Sequence, residues 1–330
     1  MKTKISQFDD NIGKDIEGYY FLSDFKISSG KKGRYANVFI TDCTGSHTAR
    51  MWQETISEDG SREAALIGKV IHVYGRVDAY DGKGSLIIGA MNEAAEAEYE
   101  MSEIARCLSK EYLKGFTREI GNYMLQISDE NLALLVKTIF NENYAALSQL
   151  PAGLKMHHNF NGGLLIHTCE VCELAVDYLN LSERMKAVKE YGPVIDSRTK
   201  DLVIAGALLH DIGKVYEYRG FPSARITKKG ELLGHLDIGA DIIRSTAKKT
   251  GMTDEDMIDE LCHIVLSSHG DESCIAPKTF EALIVSFADN FSAQCDNYGV
   301  LLSEDKRMCP DDPGDFFYSK VKQRKFLRKE

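Results

Sequence analysis

The sequence predicts a multidomain α+β chain, with a small N-terminal β-barrel followed by an all-helical domain. Three observations predict it. Between Arg34 and Ile88, short alternating segments are separated by turn-rich groups. From about Ala94 the apolar period changes to three and four. Farther on, runs that are apolar on every side lead into histidine and aspartate. At 330 residues the chain suits two domains, and its 43% hydrophobic content is ample for packed cores.

In the N-terminal region, two alternating segments from Arg34 to Gln53 flank Asp42-Cys43-Thr44-Gly45, a hairpin turn. A further strand, Val70 to Asp78, leads through Asp81-Gly82-Lys83-Gly84 to a return strand through Ile87-Ile88. Several short strands at this spacing fit a small barrel. Alternation places Ile71, Val73 and Val77 on one face and His72, Tyr74 and Arg76 on the other. Tyr35 shares a face with Phe39, and Arg50 with Trp52. An aromatic and basic outer face suits single-stranded nucleic acid, because bases stack and phosphates pair with cations. The plain alternative is that these aromatics fill the barrel or its contact with the next domain.

Between Ala94 and Leu150 the pattern predicts helices over Met101 to Tyr123 and Asp129 to Leu147, with Leu132, Leu134, Leu135 and Ile139 among their apolar positions. No long flexible linker, internal repeat or low-complexity stretch interrupts the chain.

Seven of the nine histidines lie between His157 and His269, in a series that includes His167, His210-Asp211, His235 and His269 and is followed by Asp289. The stretch Leu202 to Leu209 has no polar face, so it belongs in a core, yet it runs directly into His210-Asp211. Ala282 to Ala288 leads to Asp289 in the same way. Both carboxylates are therefore expected to be buried, at the ends of helices enclosed on every side. An ionised carboxylate there is strongly disfavoured unless it is paired or binds a metal. Imidazole with carboxylate suits a divalent metal handling oxygen chemistry. One histidine on an apolar helix is ordinarily a hydrogen-bonded core residue, and one buried aspartate ordinarily caps a helix or meets an arginine. The combination of His167, His210, Asp211 and Asp289 favours the metal. Cys169 and Cys172 form a Cys-x-x-Cys, but it lies in a predicted helix and has no second pair, which argues against zinc or redox chemistry.

The order His, His-Asp and distant Asp, with Gly213-Lys214 after the doublet, resembles the HD-domain metal-dependent phosphohydrolases. The flanking text His157-His158-Asn159-Phe160-Asn161-Gly162-Gly163, Gly230 to His235 and Leu266 to Gly270 is similar to one branch, the YhaM-type 3′-to-5′ exoribonucleases. The resemblance runs from about Gly18 to about Tyr298. It implies a five-stranded OB-fold barrel over 1–95, a helical connector over 96–150 packing on the next domain, an all-α HD domain over 151–310 and a basic tail over 311–330. It also implies one metal on His167, His210, Asp211 and Asp289, and a second on Asp211, His235 and His269. Many members with two metals carry paired histidines where this chain has Ser268-His269, so the second site would be short of a ligand or completed by water. His263 lies six positions before His269 and faces another way on a regular helix. Lys214 would place positive charge on the scissile phosphate. His157 and His158 would contact substrate, and His158 is the candidate general acid for the leaving 3′-oxygen.

The expected function is 3′-to-5′ hydrolysis of single-stranded RNA, with single-stranded DNA as a second substrate, releasing nucleoside 5′-monophosphates. Two divalent ions would serve, Mn²⁺ first and Fe²⁺, Co²⁺ or Mg²⁺ as alternatives. The same residues also fit a phosphohydrolase acting on free nucleotides or cyclic dinucleotides, or an RNA-binding module whose HD site has decayed. A net charge of −10 argues against a protein that coats nucleic acid but allows local binding. The sequence ends with Lys320, Lys322, Arg324, Lys325, Arg328 and Lys329, a solvated face or a hold on RNA backbone. No apolar stretch reaches membrane-spanning length, and no signal-peptide core follows Met1, so no membrane contact is expected and the location expected is the cytoplasm. The resemblance also implies a homo-oligomer.

Overall fold

The computed structural model describes residues 2–30, 33–105, 107–154, 157–189, 191–220, 224–270, 273–308, 314–320 and 322–328. Two compact units divide the chain. The first comprises Met1–Leu108 with Gly220–Arg225, and the second Ser109–Arg219 with Ile226–Glu330. Lys329 of the basic tail lies outside the described residues.

The first unit is built on β1 (Asp15–Gly30), β2 (Gly33–Asp42), β3 (Gly45–Trp52), β4 (Val70–Tyr80) and β5 (Lys83–Glu93), with short helices α1 (Ser61–Ala64) and α2 (Met101–Ile104). The strands close into a barrel in the order β1-β2-β3-β5-β4, with β3 and β5 parallel. The barrel is OB-fold-like. Alternation fills it as the sequence implies, since Ala36, Val38, Ile40, Ile71, Val73, Val77, Leu86 and Ile88 all point inward. The β1 strand carries no period-2 signal in the sequence. Tyr20 and Leu22 enter the barrel, while Tyr19 and Phe21 are buried on the other side with Val70, Ala94 and Ile104.

The helical unit contains α3 (Lys110–Met124), α4 (Glu130–Leu147), α5 (Gly163–Lys189), α6 (Ser197–Leu209), α7 (Lys214–Glu217), α8 (Lys228–Thr250), α9 (Glu255–Leu266) and α10 (Phe280–Met308). The one helix expected from Met101 to Tyr123 is two. Ser109 adopts an extended conformation and its hydroxyl accepts from the Tyr112 amide, which starts a new helix. Of the connector positions, Leu132, Leu135 and Ile139 are buried while Leu134 faces solvent.

Every residue from Leu202 to Leu209 on α6 is buried, as its all-apolar sequence requires. Asp201, also buried, fastens α6 to the start of α4 by accepting from the Ser128 amide and hydroxyl and the Asp129 amide, each at 2.8 Å. Helix α10 departs from expectation twice. Asp289 lies within it and not at its end, and Leu283 and Phe287 are exposed, Phe287 at 66%. The basic tail folds as a hairpin, pairing Phe316–Ser319 with Arg324–Leu327.

Candidate metal centre

Five elements of the helical unit converge on one cluster, buried at His167, His210, Asp211 and Asp289 and half-buried at His235 and His269. His167 comes from the first turns of α5, His210 and Asp211 follow α6, His235 lies in α8, His269 follows α9, and Asp289 lies in α10. Helix α8 is kinked at Gly234, whose φ of 71° is open to glycine and costly for other residues, and the kink precedes His235. Close approach of α8 to the His210-Asp211 turn depends on Gly213. A Cβ there would fall 1.9 Å from the His235 carbonyl oxygen.

All four imidazoles are held in the same sense. His210 Nδ1 donates to the Ala207 carbonyl at 2.8 Å, a group that can only accept. Ser292 Oγ donates to Glu170 at 2.7 Å and therefore accepts from His167 Nδ1 at 3.0 Å. His235 Nδ1 donates to Glu217, and His269 Nδ1 to Asp289 Oδ2 at 3.0 Å. Each ring thus turns Nε2 inward, the atom that remains a lone-pair donor in the neutral form. The inward nitrogens meet in pairs, His167 with His210 at 3.3 Å and His235 with His269 at 2.8 Å. Two nitrogens bound to one cation at about 2.1 Å take separations of about 3 Å.

Asp211 joins the pairs. Its Oδ2 lies 3.6 Å from His167 Nε2 and 3.4 Å from His210 Nε2, while its Oδ1 lies 3.5 Å from His235 Nε2. The two groups His167-His210-Asp211 and Asp211-His235-His269 each bring their ligand atoms within 4.8 Å of one another. Asp289 completes the ring, with Oδ1 3.0 Å from His167 Nε2. Asp211 Oδ1 is buried and makes no hydrogen bond, although a carboxylate oxygen enclosed in protein is costly without a partner. A cation would supply that partner, and this donor set fits a divalent metal.

The electrostatics agree. Burial alone would raise the Asp211 carboxyl, but Lys214 and His210 outweigh it and hold the group well below the usual carboxylate range. Burial likewise opposes ionisation of Asp289, and His167 and His269 reverse it. Burial pushes His167 down despite Asp289, whereas His210 is raised against burial by Asp211. Lys214 is buried with its Nζ 2.6 Å from Asp211 Oδ2, so it is neither a solvated lysine nor free of the cluster. His157 lines the groove outside the cluster, and burial together with Lys214 lowers it to about 4. His158 is buried, in a left-handed backbone conformation, with Nε2 3.2 Å from Glu170. His263 accepts from the Lys278 amide at 2.9 Å. The Ser268 hydroxyl is buried without a hydrogen-bond partner among the described residues. Cys169 and Cys172 are buried free thiols on α5, and burial raises both.

Glu170, Ser292 and Glu217 orient the imidazoles, and none was singled out from the sequence. Glu170 and Ser292 each stand three positions after a cluster residue on the same helix, a spacing that points to a shared face.

On the barrel, strand register sets the outer-face residues in two rows. Tyr35 pairs with Trp52, and Asn37 with Arg50, which lies beside Ile87 and, across it, Arg76. Tyr74 extends from the Arg76 end of β4, and Phe39 lies two positions beyond Asn37 on β2. Arg50 stacks 4.7 Å from the Tyr80 ring centroid, and Arg76 is paired with Asp15 and Asp78.

Residues 164–294 match the family model described as "HD domain", and residues 99–217 match one described as "Putative helicase". The second OB-fold domain of replication protein A from Methanococcus maripaludis is similar at 22% identity, over 29% of this chain and 97% of that one, with a TM-score of 0.22. Asparaginyl-tRNA synthetase from Pyrococcus horikoshii aligns at 16% identity over 47% of this chain and 38% of its own length, with a TM-score of 0.24. Aspartyl tRNA synthetase from Entamoeba histolytica aligns at 10% identity over 79% of this chain and 57% of its own length, with a TM-score of 0.25. This chain therefore spans less than two thirds of either synthetase. In sequence order an OB-fold-like barrel is thus followed by a stretch, residues 164–294, that matches the HD-domain model, and an HD domain indicates metal-dependent phosphohydrolase chemistry. Among the described residues no helix is long and apolar enough to cross a membrane.

Proposed function

We propose that the protein is a 3′-to-5′ exoribonuclease that shortens single-stranded RNA, with single-stranded DNA as a second substrate, to nucleoside 5′-monophosphates. The observation that carries this reading is Asp211, one carboxylate whose oxygens face two histidine pairs, His167-His210 and His235-His269. Such a carboxylate is suited to bridge two cations. His167, His210, Asp211 and Asp289 would hold one, and Asp211, His235 and His269 the other. When bound, divalent ions (Mn²⁺ first, with Fe²⁺, Co²⁺ or Mg²⁺ as substitutes) supply a nucleophilic water at neutral pH and neutralise charge on the scissile phosphate.

The chain's own residues do the rest. Ser292 and Glu217 fix the tautomers of His167 and His235. Lys214 sets the Asp211 carboxylate and adds positive charge beside the phosphate. His157 lines the groove, and the neighbouring buried His158, with Glu170 as its partner, would be the proton donor to the leaving 3′-oxygen. On the barrel, Tyr35, Phe39, Trp52 and Tyr74 would stack bases while Arg50 and Arg76 meet phosphates. In this reading residues 1–95 bind RNA, 96–150 connect, 151–310 hydrolyse, and the tail over 311–330 adds positive charge. The enzyme would act in the cytoplasm as a homo-oligomer.

The test is digestion of 5′-labelled single-stranded RNA with Mn²⁺, beside the Asp211→Ala protein and resolved by length. A ladder shortening from the 3′ end in the wild type alone supports the reading. Intact RNA in both lanes, with metal bound to the wild type, refutes it.

A further inference from the structure

The apolar run before Asp289 is the part of the site that departs most from a buried helix. Leu283 and Phe287 are exposed, and Phe287, Asn290, Gln294 and Asn297 recur at three and four positions along one face of α10. With His157 and His269 they line a groove that opens on the metal centre. A 66% exposed phenylalanine two residues from a buried metal-site carboxylate contributes little to the core. Along the groove, polar amides follow it and then positive charge, while exposed Phe291, one turn on, lies outside the groove lining. Gln294, about 7.5 Å farther along the helix axis than Asp289, accepts from Lys322 Nζ at 3.1 Å. Lys322 belongs to the C-terminal hairpin, which is fixed to α10 by Tyr298, whose hydroxyl donates to the Leu327 carbonyl at 2.9 Å and whose ring lies 5.5 Å from Phe326. Beyond Lys322 the hairpin presents exposed Arg324, stacked 4.8 Å from the Phe326 ring centroid, and exposed Lys320 and Lys325.

We propose that this face of α10, continued by the C-terminal hairpin, is a track for single-stranded nucleic acid. Phe287 stacks a base next to the metal centre, Asn290 and Gln294 meet polar edges, and Lys322 and Arg324 hold the phosphates that follow. The choice of ligand rests on the nuclease reading above. The groups along the track support it: an exposed ring beside the metal centre and cations farther on supply the stacking and phosphate contacts that a single strand uses. It also accounts for a basic patch on a chain of net charge −10. A second copy of this chain would share that excess of negative charge but offer no regular run of phosphates to the hairpin.

The test uses the full chain and a labelled oligoribonucleotide, with Ca²⁺ to slow hydrolysis, and reads anisotropy across a salt series alongside digestion with Mn²⁺. Phe287→Ala is expected to weaken binding between about 5-fold and about 150-fold, and Phe287→Trp to restore it. The double variant Lys322→Ala/Arg324→Ala is expected to flatten the slope of log affinity against log salt by about 1.4, the value for two lost phosphate contacts on a single strand. Its loss should shrink as the oligonucleotide is shortened. Wild-type binding and salt slope in both variants, while the parent digests RNA, overturn the track and leave the nuclease reading standing. A parent that neither binds nor digests RNA overturns both. Unchanged binding with an altered oligomeric state in Phe287→Ala also overturns the track and assigns the face to contact between copies.

Discussion

Replacing Gly213 by alanine tests how the second half of the metal centre is assembled. The new Cβ would lie 1.9 Å from the His235 carbonyl oxygen, 2.7 Å from the Gly239 amide nitrogen and 2.8 Å from the His235 carbonyl carbon. All three are backbone atoms, so no side chain can swing away. Ordinary contact begins at 3.4 Å, and α8 must retreat by about 1.5 Å at His235. A ligand atom must be placed to within about 0.2 Å, so His235 would leave the second group while His167, His210 and Asp289 stay. Overpacking of this kind costs about 1–3 kcal/mol, a Tm lowering of roughly 3–10 °C for a unit of this size. On the two-ion reading proposed above, metal content after dialysis is expected to fall from about two ions per chain to about one. Circular dichroism melting and elemental analysis read the two effects. Two retained ions with an unchanged Tm would refute the reasoning, because the close approach would then not be what places His235.

Other substitutions separate neighbouring effects. Gly115 and Gly121 lie inside α3 with nothing within 4 Å of an added Cβ, so alanine at either is expected to stabilise by about 0.4–1 kcal/mol, read as a higher urea midpoint. Asp201→Ala removes three hydrogen bonds that the buried carboxylate accepts from exposed Ser128 and half-buried Asp129, and is expected to cost roughly 1.5–4 kcal/mol, with the midpoint lowered and the slope retained. In the metal-free protein the depressed Asp211 and Asp289 carboxyls contribute stability above the ordinary carboxylate value, about pH 4, and lose it as the pH falls toward their folded values. An acid titration followed by near-ultraviolet dichroism should therefore show cooperative loss of structure below that pH, earlier than in metal-loaded protein. With a thiol reagent at pH 8, exposed Cys274 and Cys295 should react in the native state, whereas Cys169, Cys172 and Cys262, whose thiols burial raises, should wait for denaturant.

The sequence disclosed most where one physical demand dominated. Helix α6 has one reason to be apolar on every side, and it is buried on every side. The barrel strands β2 to β5 have one wet and one dry face, so their alternation is plain. The β1 strand was obscured because Tyr19 and Phe21 meet a second apolar cluster while Tyr20 and Leu22 meet the barrel, which erases the period. The groups that orient the histidines, Glu170, Ser292 and Glu217, look like ordinary surface residues until the fold brings them against an imidazole. The break between α2 and α3 follows from a single serine cap, a local choice that apolar periodicity does not record.

Helix α10 shows how one sequence pattern can carry two demands. Ala282 and Val285 are buried, whereas Leu283 and Phe287 are not, although all are apolar. Hydrophobicity alone cannot separate a residue that leaves water to pack a core from one that stays in water to receive a flat ligand. The charge around it can. On the inner face, Asp289 meets His167 and His269 and is spared from water by a closed set of partners. Along the groove, Phe287 is succeeded by Asn290, Gln294 and Lys322, groups that gain nothing from a dry contact, while exposed Phe291, one turn on, lies outside the groove lining. A core face or an obligate subunit interface would instead continue apolar residues at those positions. The polar and then basic continuation is what distinguishes a ligand-receiving face from a packing face. The same helix can therefore both anchor the metal centre from within and present the strand to it from without.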